Sequence, residues 1–292
     1  MRESMIDWKR MDLHIHTTVS DGTDTPEELV DRVKSAGIGL FSVTDHDAIK
    51  GCEVVRNLLS GRTGPRFITG VEFSCRDEEG QYHILGYHYD PQSESIRELA
   101  QFGHNLRMNK IHMRLDHLKT EFGITFPEKE ILRILALDNP GKPHLANLMV
   151  KLGFAKTKED AMARFLNRLH IHSEFLRPET AISGILAGGG IPVLAHPTYG
   201  NGSQLILGED MDRRLRHLIP CGLQGVEAFY SGFTPKIREE TLQFAKQYDL
   251  YVTAGSDYHG RNKLVNLGDT GLDETENPPE GLLRFLDAVR EA

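Results

Sequence analysis

The chain has 292 residues, 39% of them hydrophobic and 26% charged, with a formal net charge of −8, the make-up of an ordinary globular protein. That acidic balance disfavours a dedicated surface for long polyanions, and no run approaches the roughly 20 apolar residues of a membrane span. Cys52, Cys75 and Cys221 are odd in number and form no CxxC pair, which argues against a disulfide framework and a thiolate zinc site; with an N-terminus that lacks an apolar signal core, the chain reads as cytoplasmic.

In chain order, Met11, Leu13 and Ile15 alternate with Asp12, His14 and His16. This period of two predicts a strand with one face buried and two imidazoles on the other. Asp21 follows five residues later. Thr25-Pro26-Glu27-Glu28 predicts a capping box opening a helix, which Leu29, Val30 and Val33 continue until Gly37 stops it. A strand then leads into Asp45-His46-Asp47, a helix follows near 51–59, another strand ends at Glu72, and the apolar run Tyr82 to Tyr87 contains His83. Strands alternating with helices predict βαβ units and a parallel sheet.

From 95 to 178 no strand is expected. Three helical faces appear instead, marked by Ile111, Leu115, Leu118 and Phe122, by Leu145, Leu148, Met149 and Leu152, and by Ala161, Phe165 and Leu169. The predicted organisation is therefore a barrel domain over 1–94 and 179–292, interrupted by an all-helical substrate subdomain over 95–178. Alternation resumes with a helix near 179–187, a strand into His196-Pro197, a helix near 211–219, a strand over 225–229, a helix near 235–248, a strand into Asp257-Tyr258-His259 and a last helix near 280–289.

Four strand ends thus carry ligand-type residues. In α/β barrels, functional groups cluster at the C-terminal ends of the strands, so this placement predicts one site. Mixed imidazoles and carboxylates without thiolates suit Mn²⁺, Fe²⁺ or Zn²⁺ better than Ca²⁺ or Mg²⁺. Two such ions roughly 4 Å apart can activate a bridging water and clamp an in-line displacement at phosphorus. No GxSxG elbow or Walker A loop is present.

Taken together, His14-x-His16, Asp21, Thr44-Asp45-His46, Glu72, His83, Ala195-His196-Pro197 and Gly255-Ser256-Asp257-Tyr258-His259 resemble the PHP (polymerase and histidinol phosphatase) superfamily of metal-dependent phosphoesterases. With the insert, the chain looks most like the branch of 3′,5′-nucleoside bisphosphate phosphatases and 5′ exoribonucleases. The resemblance implies a distorted (β/α)7 barrel and two or three divalent ions, manganese, iron or zinc. It implies that His14, His16, Glu72 and Asp257 hold one ion, that Glu72, His83 and His196 hold a second with Glu72 bridging, and that Asp21, His46 and His259 hold a third. Where other members place a histidine, this chain has Asp21. Glu72, Asp257 and His259 are the expected catalytic residues, and the general acid stays open among His196, His259, a metal-bound water and Asp47.

Arg107 and Lys110, at i, i+3 on the first insert helix, and Lys142 with His144, opening another, are candidates for a non-scissile phosphate. The competing reading makes Arg107, Lys110 and Arg114 a solvated helix face. The expected partner is a small phosphorylated substrate, a nucleoside 3′,5′-bisphosphate or the 5′ end of a short RNA, with no membrane and no stable nucleic-acid partner. Histidinol-phosphate phosphatase, an amidohydrolase and a non-catalytic metal-binding module are the rival readings. His170-Ile171-His172 reads as surface, and His88, His104, His112, His117 and His217 as structural.

Overall fold

The computed structural model describes residues 7–168, 174–199 and 205–290. His170 and His172 lie outside them. The fold is α/β. Strands β1 (Met11–Asp12), β2 (Leu40–Ser42) and β3 (Arg66–Ile68) form a parallel three-stranded sheet, with α1 (Pro26–Ser35) and α2 (Lys50–Leu59) between them. The Thr25 side chain accepts from the Glu28 N–H and Glu28 reaches back to the Thr25 N–H, so the predicted capping box forms. Leu29, Val30, Val33 and Val55 pack on Phe41 and Val43 as one apolar cluster.

The sequence expectation is corrected at Glu72. Instead of one strand ending there, β3 stops at Ile68 and a new strand β4 (Gly70–Arg76) begins, with Glu72 near its start. β4 belongs to a second sheet with β5 (Gln81–Tyr87), β6 (Ile191–Leu194), β7 (Gly225–Tyr230) and β8 (Tyr251–Gly255). β4 and β5 form a hairpin and β5 meets β6 antiparallel; only β6, β7 and β8 run parallel. The expectation of a parallel sheet therefore holds for β1–β3 but not for the second sheet, which is mixed. The short connection from 77 to 80 permits only an antiparallel return, because a parallel one needs a crossover of a dozen residues or more.

The expected continuous barrel ladder is absent among the described residues. The two sheets meet through single parallel bridges, Ile15 with Tyr258 and His46 with Glu72, helped by the hydrogen bond from Asp47 N–H to Glu72 C=O. The first strand is shorter than predicted: β1 ends at Asp12, and His14 and His16 lie on the extended chain beyond it, where Leu13 N–H donates to Ala254 C=O and His16 N–H to Tyr258 C=O.

Between β5 and β6 the described chain is helical, with α3 (Glu94–Phe122), α4 (Glu128–Leu135), α5 (Lys142–Lys151), α6 (Lys158–Ala161) with a π turn to Leu166, and α7 (Pro178–Ala187). α3 has 29 residues, so it runs about 44 Å at 1.5 Å per residue. Its first half adds Ile96, Leu99 and Leu106 to the main core, while Ile111 and Leu118 pack with Leu145, Met149 and Phe165 in a separate cluster. One rigid rod thus links two cores. Helices α8 (Gly208–Leu218), α9 (Pro235–Gln247) and α10 (Glu280–Ala288) complete the chain near the predicted positions.

Candidate metal centre

Nine side chains far apart in sequence meet where the two sheets join. The extended segment after β1 supplies His14 and His16, the loop before α1 supplies Asp21, the segment after β2 supplies His46, the hairpin supplies Glu72 and His83, and the ends of β6 and β8 supply His196, Asp257 and His259. Glu72, fully buried, is their hub. Its Oε1 lies 2.7 Å from His83 Nδ1 and 3.2 Å from His196 Nε2, while its Oε2 lies 3.3, 3.2 and 2.9 Å from His14 Nε2, His16 Nε2 and His46 Nδ1. Asp257 Oδ1 stands 3.5 and 3.3 Å from His14 and His16 Nε2, and Asp21 Oδ1 3.1 Å from His259 Nε2.

His14 Nε2, His16 Nε2, His46 Nδ1, Glu72 Oε2 and Asp21 Oδ1 are buried and have no hydrogen-bond partner. Buried polar atoms are normally satisfied, so a cluster of orphans at one point is what removal of a shared cation would leave. Groups within ligand reach of one another are His16, Asp21, His46 and His259; His14, Glu72 and His196; His14, His16 and Asp257; and His46, Glu72 and His83. The donor set fits divalent transition ions. His46 differs from the sequence reading in facing both ways: Nδ1 approaches Glu72, and Nε2 stands 4.0 Å from Asp21.

Electrostatics agree. Burial opposes charge on His16, yet Asp257 and Glu72 push its pKa up to about 9; His14 is likewise raised, against burial, by Glu227, Glu72 and Asp257. The pocket is negative enough to draw protons onto buried imidazoles, and a divalent cation would displace them. His46, by contrast, is pushed down to about 4, chiefly by burial.

Several supporting residues escaped the sequence reading. Glu227 Oε1 accepts from His14 Nδ1 at 2.9 Å and its Oε2 from the His196 backbone N–H at 2.7 Å. This orients one imidazole and pins another, the usual duty of a carboxylate behind a ligating histidine. Its signal was a lone carboxylate inside the apolar run of β7. Asp45 is not at the centre. It accepts from Thr17 N–H, Thr17 Oγ1 and Ser20 Oγ, fixing the loop between His16 and Asp21. Tyr230 Oη and Lys263 Nζ donate to Asp257 Oδ2 at 3.0 and 2.5 Å, so its other oxygen faces the pocket. His259 Nδ1 donates to the Asp257 C=O at 2.9 Å, leaving Nε2 toward Asp21.

Asp47, His196 and Asp257 take positive φ of 49°, 26° and 56°, a region uncommon for non-glycine residues, which His88 and Asp249 also adopt away from the centre. Gly255 is required because a Cβ there would collide with the His14 side chain and Glu227.

A cavity of about 210 Å³ adjoins the centre, walled by Asp47, Ser74, Arg107, Lys110, Arg114 and Lys142. Asp47 follows His46 and Ser74 follows Glu72 by two residues, so the cavity and the centre share a wall. Burial lowers Lys110 to about 8 and Arg114 to about 10, with their mutual neighbours adding repulsion. The helix face bearing Arg107, Lys110 and Arg114 is therefore turned into a cavity and is not simply solvated. Arg107 is already engaged: Nε donates to Asp47 Oδ2 at 2.6 Å and Nη2 to Ser74 Oγ at 2.8 Å. Although burial opposes it, that guanidinium holds the Asp47 carboxyl below its ordinary value, which disfavours Asp47 as a proton donor. Lys142 Nζ donates to Asn167 at 2.9 Å. His144 stands outside the wall, its Nδ1 accepting from the Gly141 N–H.

A sequence model of the PHP domain matches residues 12–159. A 5′-3′ exoribonuclease of Haemophilus influenzae is 30% identical over 89% of this chain and 93% of its own. A 3′,5′-nucleoside bisphosphate phosphatase of Chromobacterium violaceum is 26% identical over 92% of each. Among solved structures, a chain from Bifidobacterium adolescentis assigned as a metal-dependent phosphoesterase superposes with a TM-score of 0.78 at 29% identity, covering 89% of this chain and 91% of that one.

Proposed function

The chain belongs to the PHP domain family, and on that premise we propose that it is a metal-dependent phosphoesterase whose substrate carries two phosphates on one nucleoside. The observation that carries this reading is the convergence of nine buried or half-buried ligand-type side chains with Glu72 at their hub, with a cation-lined cavity against the same wall. We read the two bridged sheets as the wall of a distorted barrel and the helices over 95–178 as the substrate subdomain.

His14, His16 and Asp257 would hold one ion, with Glu72 shared between it and the set containing His83 and His196; Asp21, His46 and His259 would complete a third. When bound, such ions polarise a phosphoryl oxygen and activate water at neutral pH. The chain's own residues then orient and exclude. Glu227 and Asp45 keep His14 and the loop bearing Asp21 in place, and Lys263 with Tyr230 keeps Asp257 from rotating.

The cavity decides the substrate. Lys110, Arg114 and Lys142 offer charge to a second phosphate about one nucleoside away from the hydrolysed one, with Arg107 braced by Asp47. A nucleoside 3′,5′-bisphosphate and the 5′ end of a phosphorylated RNA present the same pair of phosphates, so one arrangement serves both. Histidinol phosphate carries a cationic amine instead, which these residues would repel. The manganese-loaded protein is expected to release phosphate from 3′-phosphoadenosine 5′-phosphate faster than from histidinol phosphate; equal or faster turnover of histidinol phosphate would overturn the substrate assignment.

A further inference from the structure

We propose that Asp77, Glu179 and His217 form a second metal site, holding one zinc ion away from the central pocket. The inference does not depend on what that pocket hydrolyses. Asp77 sits in the turn between β4 and β5, Glu179 in the first turn of α7 and His217 in the last turn of α8. His217 Nε2 lies 3.4 Å from Asp77 Oδ2 and 3.2 Å from Glu179 Oε1. Two donors bound at about 2.1 Å in a tetrahedral shell stand roughly 3.4 Å apart, so these separations match the edges of a zinc site.

The second observation is the state of the donors. The Asp77 side chain is only 2% exposed. Its Oδ1 accepts from the backbone N–H groups of Glu79 and Gly80, which fixes the carboxylate, while Oδ2 is buried with no hydrogen-bond partner and points at His217. His217 Nε2 is buried and unpartnered as well. Elsewhere among the described residues, that combination of mutually facing orphan imidazole and carboxylate atoms occurs at the central pocket. Of the two nearby cations, Arg177 makes its short contacts of 2.9 and 3.1 Å with Glu78 and only long ones of 3.4 and 3.5 Å with Glu179, and Arg214, which also feels the Asp77 charge, donates to the Gln81 C=O at 3.2 Å. One imidazole and two carboxylates favour a borderline ion high in the divalent affinity order, and Glu179, 30% exposed, leaves a side open for water. Such an ion would tie two helices to the hairpin that carries Glu72 and His83, so its role would be to brace that hairpin.

The test is zinc content, by metal analysis and native mass spectrometry, of full-length protein equilibrated with Zn²⁺ and desalted. His217→Gln should hold one zinc fewer than wild type, and Glu72→Gln/His217→Gln one fewer than Glu72→Gln. Zinc should also raise the melting temperature of Glu72→Gln more than that of the double variant. Glu179→Gln gives a second route should His217→Gln fold poorly. Equal zinc counts within both pairs would overturn the site. So would a loss of stability in His217→Gln with no change in zinc, the signature of a protonated histidine paired with carboxylates.

Discussion

The central pocket and the basic cavity beside it share a wall but are built by opposite means. Six imidazoles and three carboxylates line the pocket, and several are held from behind by another residue: Glu227 behind His14 and His196, Asp45 behind the Thr17–Ser20 loop, Lys263 and Tyr230 behind Asp257. The cavity takes most of its charge from one face of α3 and the start of α5, on long flexible side chains. The difference separates duties: the braced pocket is suited to chemistry that tolerates little displacement, and the looser cavity to binding a charge and choosing among substrates.

Disturbing the pocket should therefore cost turnover, and disturbing the cavity should cost affinity. Glu72→Gln removes the shared charge at the hub. It should lower kcat by about 10³-fold or more, the loss of several kcal/mol of charge stabilisation; near-normal turnover in a steady-state assay would take Glu72 out of the centre. Glu227→Gln keeps the shape but weakens the hold on His14, and metal affinity measured by chelator competition should fall about 10- to 100-fold. An unchanged affinity would mean that the pocket does not need its outer support.

On the cavity side, Lys110→Met should raise KM for a bisphosphate about tenfold while leaving an aryl phosphate unaffected, because a charge-assisted contact is worth about 1.5 kcal/mol or more. Reversal of Arg107 would be a poor test. It would set two carboxylates together at Asp47 and leave a buried charge unpaired, at a cost of about 3–5 kcal/mol in stability. The smallest effect expected is one of pH. Burial holds Lys110 near 8, so it is cationic below that value and neutral above it, and KM for the bisphosphate should rise from pH 7 to pH 9 in wild type. Asp47, Arg107, Arg114 and Arg76 share its surroundings; a flat profile, or the same rise in Lys110→Met, would assign the effect elsewhere.

The same contrast explains what could be read from the sequence. Strand-end residues are legible because the fold brings such ends together, so His14, His16, His46, His196, Asp257 and His259 could be singled out from local pattern, whereas His83, inside β5, rested on the family resemblance. Glu72 was visible for the wrong local reason, since it opens β4 instead of ending a strand. The two-sheet arrangement was not visible, because the break between Ile68 and Gly70 is a matter of pairing partners, not of apolar periodicity. Nor was the commitment of Asp47 to Arg107. It joins residues 60 positions apart and depends on Gly103, where a Cβ would approach the Asp47 Cβ to 2.6 Å. Glu227 needed only one clue, a carboxylate in an apolar strand, whose meaning lies in the two partners it meets after folding.

The most direct measurement is kcat/KM of the manganese-loaded protein for adenosine 3′,5′-bisphosphate against adenosine 3′- and 5′-monophosphate. A pocket that hydrolyses one phosphate while the cavity holds the other predicts a preference of about tenfold or more for the bisphosphate, from one charge-assisted contact, and its loss in Lys110→Met. Equal efficiency on all three, with Lys110→Met unchanged, would contradict it.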